Sequence, residues 1–366
     1  EVCLVGLTEL SDAAAESLSK QMSDAAAESL WNHEEHSISL DGLTELSDAA
    51  AESLSKCQVD LYLRGLTELS DAAAESLSKH EGCLSLTGLT KLSDAAAESL
   101  SNHEGEVCLV GLTELSDAAA ESLASGIIAK REGLLRLDAL AELSDAAAES
   151  FSKIDGTLWL DGLTELSDAA AESLSKHKGY LMLDGLTELS DAAAESLSKH
   201  EGDLALAGLK SLRSTSLAAA LVKHSDILDL TGVTSLAPAA AAKLVSLSKS
   251  KERDQCLRLD RLGEVSLETL KSLMAYSGDL FLGLESITLT EARVLSEFRG
   301  SLLGLMSVSK ITAKKAEILS HVAAGELVLV GLEKISKKVA QHLLNHDNVV
   351  TEFDLKYIAN SEEGNK

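Results

Sequence analysis

Proline is almost missing from this chain, with one in 366 residues, and 45% of the residues are hydrophobic, so a core can be buried along its length. No apolar run approaches the roughly 18 residues of a membrane-spanning helix, which excludes a membrane span. Cations are scarce: 32 basic residues stand against 59 acidic ones, and the net charge of −27 argues against nucleic acid and anionic membranes as partners. Aromatic residues make up only 3%, so any aromatic on a surface position is notable. Cysteine is sparse and odd in number: Cys3, Cys57, Cys83, Cys108 and Cys256 form no disulfide framework. Cys83 and Cys108 fall on neighbouring strands at diagonal positions, yet free thiols are the expectation, and they favour a reducing, cytoplasmic compartment.

Catalytic signatures are also lacking. There is no glycine-rich phosphate loop, GxSxG, CxxC or HExxH, and His33-Glu34-Glu35-His36 has the wrong spacing for two ligands on one helical face. No cofactor, metal site or catalytic residue is expected. The chain starts at Glu1 inside a strand pattern with no visible signal peptide, which points to a removed leader or a piece of a longer protein.

What the chain does have is one unit many times over. In Tyr180 to Gly202, Leu181 and Leu183 alternate with Tyr180, Met182 and Asp184, the period-2 pattern of a half-buried strand. Gly185 ends the strand, and Leu186 and Leu189 lead into a helix starting near Ser190, an N-cap followed by Asp191. Leu189, Ala193 and Leu197 form its apolar stripe, Glu195 and Lys199 an i,i+4 pair, and Gly202 is read as the C′ glycine. SDAAAES recurs from Ser11, Ser23, Ser47, Ser70, Ser93, Ser116, Ser144, Ser167 and Ser190, at spacings of 12, 24, 23, 23, 23, 28, 23 and 23. Degraded copies follow, ending in FDLKYI, for fifteen strand segments in total.

One unit cannot bury both its apolar faces, so the copies must stack. Strands stack about 4.8 Å apart and helices roughly 8 to 10 Å apart, which places the sheet inside a curve. The fold class is therefore α/β: a curved solenoid with a parallel β-sheet on the concave side and short helices on the convex side. Residues 1–206 hold regular repeats, irregular at 11–35; residues 207–358 hold diverged repeats; residues 359–366 are a polar tail. The 12-residue first spacing fits one long helix from Ser11 to Trp31 or lost sequence, the second being favoured. Insertions at Ala124 to Arg131 and Ser246 to Gln255 read as loop extensions or contact sites.

The LxL pattern, then LxxL and an alanine-rich segment at a 23-residue period, resembles bacterial leucine-rich-repeat proteins. Leu181, Leu183, Leu186, Leu189, Ala193 and Leu197 occupy the core positions of that pattern over nearly the whole chain. Leu186 stands where those relatives carry an Asn ladder, and the convex segment is more helical. The resemblance implies protein or ligand binding on the concave sheet, rarely catalysis, and a cell-surface or secreted setting.

Histidines at helix C-termini, His80, His103, His177, His200 and His224, are read as cations at the negative dipole end rather than metal ligands. Helix residues barely vary among the copies. The outward strand position does, running Cys3, Ser39, Tyr62, Ser85, Cys108, Arg136, Trp159, Met182, Ala205, Asp229, Arg258, Phe281, Gly304, Val328 and Asp354. Drift would give the same variation, but the middle of the chain concentrates anchor types: Arg136, Trp159 and Met182 in one row, flanked by Tyr180. Asp138, Asp161 and Asp184 form the next row, and stacked carboxylates call for a basic partner, a cation or a local turn bond.

The expected function is a non-enzymatic protein-binding or scaffold module. Its partner-binding residues are Tyr62, Arg136, Asp138, Trp159, Asp161, Tyr180, Met182 and Asp184, and its protein partner is expected to be basic. The alternatives are a structural subunit of a larger assembly and, less favoured, a hydrolase with a site assembled across repeats.

Overall fold

The computed structural model describes residues 2–4, 7–28, 37–129, 133–224, 227–248 and 256–360. Two compact units result: one comprises Glu1–Leu183 with His200–Gly202, the other Asp184–Lys199 with Asp203–Lys366.

The first unit alternates strands and helices. Its strands are β1 (Val2–Cys3), β2 (Ser37–Ser39), β3 (Asp60–Tyr62), β4 (Leu84–Ser85), β5 (Val107–Cys108), β6 (Gly133–Arg136), β7 (Gly156–Trp159) and β8 (Tyr180–Met182). Its helices are α1 (Asp12–Glu28), α2 (Asp48–Leu54), α3 (Asp71–Leu77), α4 (Asp94–Ser101), α5 (Asp117–Ala129), α6 (Asp145–Phe151) and α7 (Asp168–Leu174). Every strand pair is parallel and in repeat register: Ser39 lies beside Tyr62, Tyr62 beside Ser85, Ser85 beside Cys108, and Arg136 beside Trp159, which lies beside Met182.

The core follows from the leucine spacing. Leu61, Leu63, Leu66, Leu77, Leu158, Leu160, Leu163 and Leu174 are all fully buried. In the alanine triplets of α2, α3, α4 and α7 the last two residues, such as Ala73 with Ala74 or Ala170 with Ala171, are buried with no exposure, and the first faces out. A methyl side chain is what lets helices of successive repeats pack side by side. The strand leucines, the turn leucine and the helix stripe thus converge on one interior, the arrangement of a leucine-rich-repeat fold.

The Ser-Asp pair that opens each helix joins neighbouring repeats. The Ser70 hydroxyl accepts the Ala73 N–H at 3.0 Å, closing the helix start, and donates to Asp48 Oδ1 at 2.5 Å in the repeat before. The same donation links Ser47 to Asp12 and Ser167 to Asp145, both at 2.5 Å, and Ser93 to Asp71, Ser116 to Asp94 and Ser144 to Asp117. One hydroxyl serves as cap and as tie, so both residues recur.

The 12-residue first spacing is bridged by α1, a single helix across both SDAAAE copies as far as Glu28; Trp31 and the His33 to His36 cluster lie outside the described residues. The first insertion is helical, since α5 runs on to Ala129, and 130–132 lie outside the described residues. Beside it the sheet is interrupted: no ladder joins β5 to β6, although the turns remain tied by Ala139 N–H to the Val110 carbonyl at 3.0 Å.

The second unit begins with α8 (Asp191–Leu197), β9 (Leu204–Ala205), β10 (Ser211–Leu212), α9 (Thr215–His224), β11 (Ile227–Asp229), β12 (Ser235–Leu236) and α10 (Pro238–Ser248). It continues with β13 (Cys256–Leu259), α11 (Leu267–Leu273), β14 (Asp279–Leu282), α12 (Leu289–Leu295), β15 (Leu302–Leu305) and α13 (Ala313–Leu319). It closes with β16 (Glu326–Val328), α14 (Lys337–Leu343), β17 (Val349–Val350) and α15 (Leu355–Asn360). Strands β11 and β13 to β17 form one parallel sheet, while β10 and β12 form a separate parallel pair the leucine spacing did not announce. In the second insertion, α10 extends through Ser248, and 249–255 lie outside the described residues, as does the 361–366 end of the polar tail.

Three local expectations are corrected. FDLKYI is not the last strand: Leu355 to Asn360 are helical, and Val350, not Asp354, takes the outward position beside Val328. Gly202 is not a helix C′ residue with positive φ; among the described residues only Gly156 has positive φ, at 144°. Gly202 is required by contact, because a Cβ there would lie 2.0 Å from the Gly179 carbonyl oxygen. No described helix is long and apolar enough to cross a membrane.

Candidate partner-binding face

Pairing β6, β7 and β8 in register sets Arg136, Trp159 and Met182 in a row, on the side opposite the buried Leu135, Leu158 and Leu181. The outward register expected for Trp159 therefore holds: both its leucine neighbours, Leu158 and Leu160, are fully buried and Trp159 is only half-buried. Tyr180 follows the same alternation beside Thr157 and is 40% exposed, among the most open large side chains described.

Arg136 and Trp159 contact each other. The Arg136 guanidinium lies over the Trp159 ring, 4.0 Å from its centre, and its Nη2 donates to Asp138 Oδ2 at 2.5 Å. A cation held between a π-face and a carboxylate is a fixed group, with little rotamer freedom left to lose on contact. The Trp159 indole N–H and Asp138 Oδ1 are both buried and meet no hydrogen-bond partner among the described residues. One donor and one acceptor are thus left unsatisfied on this face. Tyr62 sits in the other sheet of the unit, with the Arg64 guanidinium 4.6 Å from its ring centre, and is not on the Arg136–Trp159–Met182 row.

The aspartate row has an inward use. Asp41 Oδ1 accepts the Arg64 N–H at 3.2 Å, one repeat on, and in the second unit Asp184 Oδ1 accepts the Ala207 N–H at 2.7 Å. At Asp41 and Asp184 this position therefore ties repeat to repeat through the next backbone amide, whereas Asp138 holds Arg136. Asp138 and Asp161 lie in the first unit and Asp184 in the second, so the three fall in different units.

The histidine column is also corrected. His80, His103, His177 and His200 are at most 2% exposed, and their rings stack in pairs, His80 on His103 and His177 on His200. Nε2 of His103, His177 and His200 donates to the carbonyls of Gly82, Gly156 and Gly179 at 2.9, 3.0 and 3.1 Å. A carbonyl only accepts, so Nε2 carries the proton of a neutral ring. Burial pushes His80 and His177 below the usual imidazole range, which opposes the cation read from the helix ends. A sequence signal existed: the same position, four residues before the first strand leucine, holds Cys57, Ile154 and Tyr276, each buried.

Four thiols are described. Cys57, Cys83, Cys108 and Cys256 are free, and burial, the largest cause at each, raises them above the ordinary thiol range. A thiol held protonated is a poor nucleophile.

No protein-family model matches the chain, and no curated protein matches it. Among solved structures, an internalin from Listeria monocytogenes is similar over 96% of this chain and 86% of that chain, at 13% sequence identity and a TM-score of 0.43.

Proposed function

We propose that this chain is a non-enzymatic protein-interaction module whose partner seats on the outward face of the first unit's strands. Arg136, Trp159, Tyr180 and Met182 form the centre of that contact and Tyr62 a second one. The observation that carries the reading is the Arg136–Trp159 stack, held by Asp138, with the exposed Tyr180 on the neighbouring strand. A fixed cation–aromatic pair beside an exposed tyrosine gives a partner an anchor that costs little ordering on contact. A basic partner agrees with the chain's acidity. In the second unit Asp184 serves its own backbone and is not assigned to the contact.

The test is retention of partners from the source cells on immobilised protein, wild type against Trp159→Ala, Tyr180→Ala and, on the helix surface, Glu75→Lys. The expected result is at least a tenfold weaker complex for the two aromatic variants, an unchanged one for Glu75→Lys, and a thermal midpoint nearly unmoved in all three. Equal retention by all would remove the strand face from consideration.

A further inference from the structure

The acidity of this chain is confined to its first part. Residues 1–206 hold 40 of the 59 carboxylates and 12 of the 32 cations, whereas residues 207–366 hold 19 carboxylates and 20 cations. The change shows at the helix starts, where Asp gives way to Leu267, Leu289, Ala313 and Lys337, and at one position in the turn before each helix. Two residues before each N-cap serine the first unit carries Glu45, Glu68, Glu114, Glu142 and Glu165, all exposed, with Lys91 as the exception. In the second unit the same position still holds Glu188 and Glu264, but in the last full repeats it is Lys310 and Lys334, and Lys338 stands in the first turn of α14 where the earlier helices have alanine. Lys310, Lys334 and Lys338 are exposed. Lys310 reaches Glu333 only at 3.8 Å, and Lys334 and Lys338 meet no carboxylate among the described residues.

Lysine at one of these positions does reach glutamate at the next. Lys91 Nζ lies 2.7 Å from Glu114 Oε1, both at this same position in adjacent repeats. Lys310 and Lys334 stand one repeat apart, as do Glu45 and Glu68, so these two pairs from two copies share one spacing.

We propose that the lysine edge of the second unit, Lys310, Lys334 and Lys338, docks on the Glu45–Glu68 edge of a second copy of this chain. The contact is head-to-tail, uses the turns before the helices rather than the strand face, and stands independently of the function proposed above. Such an interface joins two different patches and so extends beyond a dimer unless rotation closes it. Its strength follows salt in two directions. At about 0.01 M salt the Debye length of roughly 30 Å lets the −27 charges of two copies repel as wholes; at about 0.15 M it is roughly 8 Å and the local contact dominates; near 1 M even that contact is screened.

Light scattering on a sizing column tests this, with sodium chloride at those three concentrations, for wild type and for K310E/K334E/K338E. The expected wild-type mass exceeds 38.5 kDa most at the middle salt, while the variant stays at 38.5 kDa throughout. Mixing the variant with an E45K/E68K chain restores the heavier species, which separates loss of the contact from loss of fold. A wild-type mass of 38.5 kDa at every salt, or association unchanged in the lysine variant, overturns the proposal. So does a monomer that binds an oligoglutamate peptide through these lysines, since the edge then serves a different acidic partner.

Discussion

His177 and His200 lie ring on ring inside the first unit, with centroids 6.0 Å apart and planes 1° from parallel. Each donates Nε2–H to the glycine carbonyl of the repeat before it, Gly156 and Gly179. Protonating either Nδ1 puts a charge beside a second imidazole and away from water.

That arrangement makes stability fall in acid. His177 is lowered by burial first and by its neighbour His200 among the lesser causes, so the folded ring binds a proton less readily than the unfolded one. The neutral ring's contribution is complete above the ordinary value of 6.5 and erodes as pH falls through it toward the folded value. The urea midpoint of wild type should drop between pH 7.5 and 5.5, and the drop should be smaller in His177→Asn even though that variant is less stable at pH 7.5. An equal slope in both would assign the acid sensitivity elsewhere.

The Ser-Asp ties predict a penalty that helix capping alone understates. Ser70→Ala removes the acceptor for the Ala73 N–H and the donor to Asp48. A lost cap costs about 1 kcal/mol and a lost hydrogen bond about as much, so roughly 1 to 2 kcal/mol is expected from urea unfolding, with less for Asp48→Asn, which keeps an acceptor.

Two glycines separate contact from flexibility. A Cβ on Gly179 would fall 1.4 Å from the Gly156 carbonyl oxygen, while one on Gly263 meets nothing within 4 Å. Gly179→Ala should cost roughly 3 kcal/mol or more, since backbone must move; Gly263→Ala should be neutral or stabilise by about 0.5 kcal/mol through the unfolded chain. Paired thermal melts decide it.

Arg136 shields Trp159 from one side. With the other tryptophan replaced by Phe, Arg136→Ala should raise acrylamide quenching of Trp159 and cost only about 0.5 to 1 kcal/mol of stability, the scale of an exposed cation–π contact. Unchanged quenching would mean the guanidinium does not sit over the ring in solution.

The strand-and-helix repeat, its parallel register and the outward alternation of Arg136, Trp159 and Met182 could all be read from leucine spacing, because period 2 and the LxL pattern leave one way to bury the leucines. Where the periodicity weakened, the reading failed: FDLKYI keeps two spaced apolar residues, but Val349 and Val350 pair with β16 and Leu355 opens a helix.

The repeat period by itself determined which residues are core and which face outward, since burying a leucine every second or fourth position is a local constraint. Only the tertiary structure decided what the polar residues do. Asp48 and Ser70, or His200 and Gly179, are 22 and 21 residues apart in the chain, and their bonds exist because stacking brings equivalent positions of successive repeats within hydrogen-bond reach. A serine, an aspartate or a histidine carries no mark of that partner in its own neighbourhood, so charge and helix ends alone misplace it.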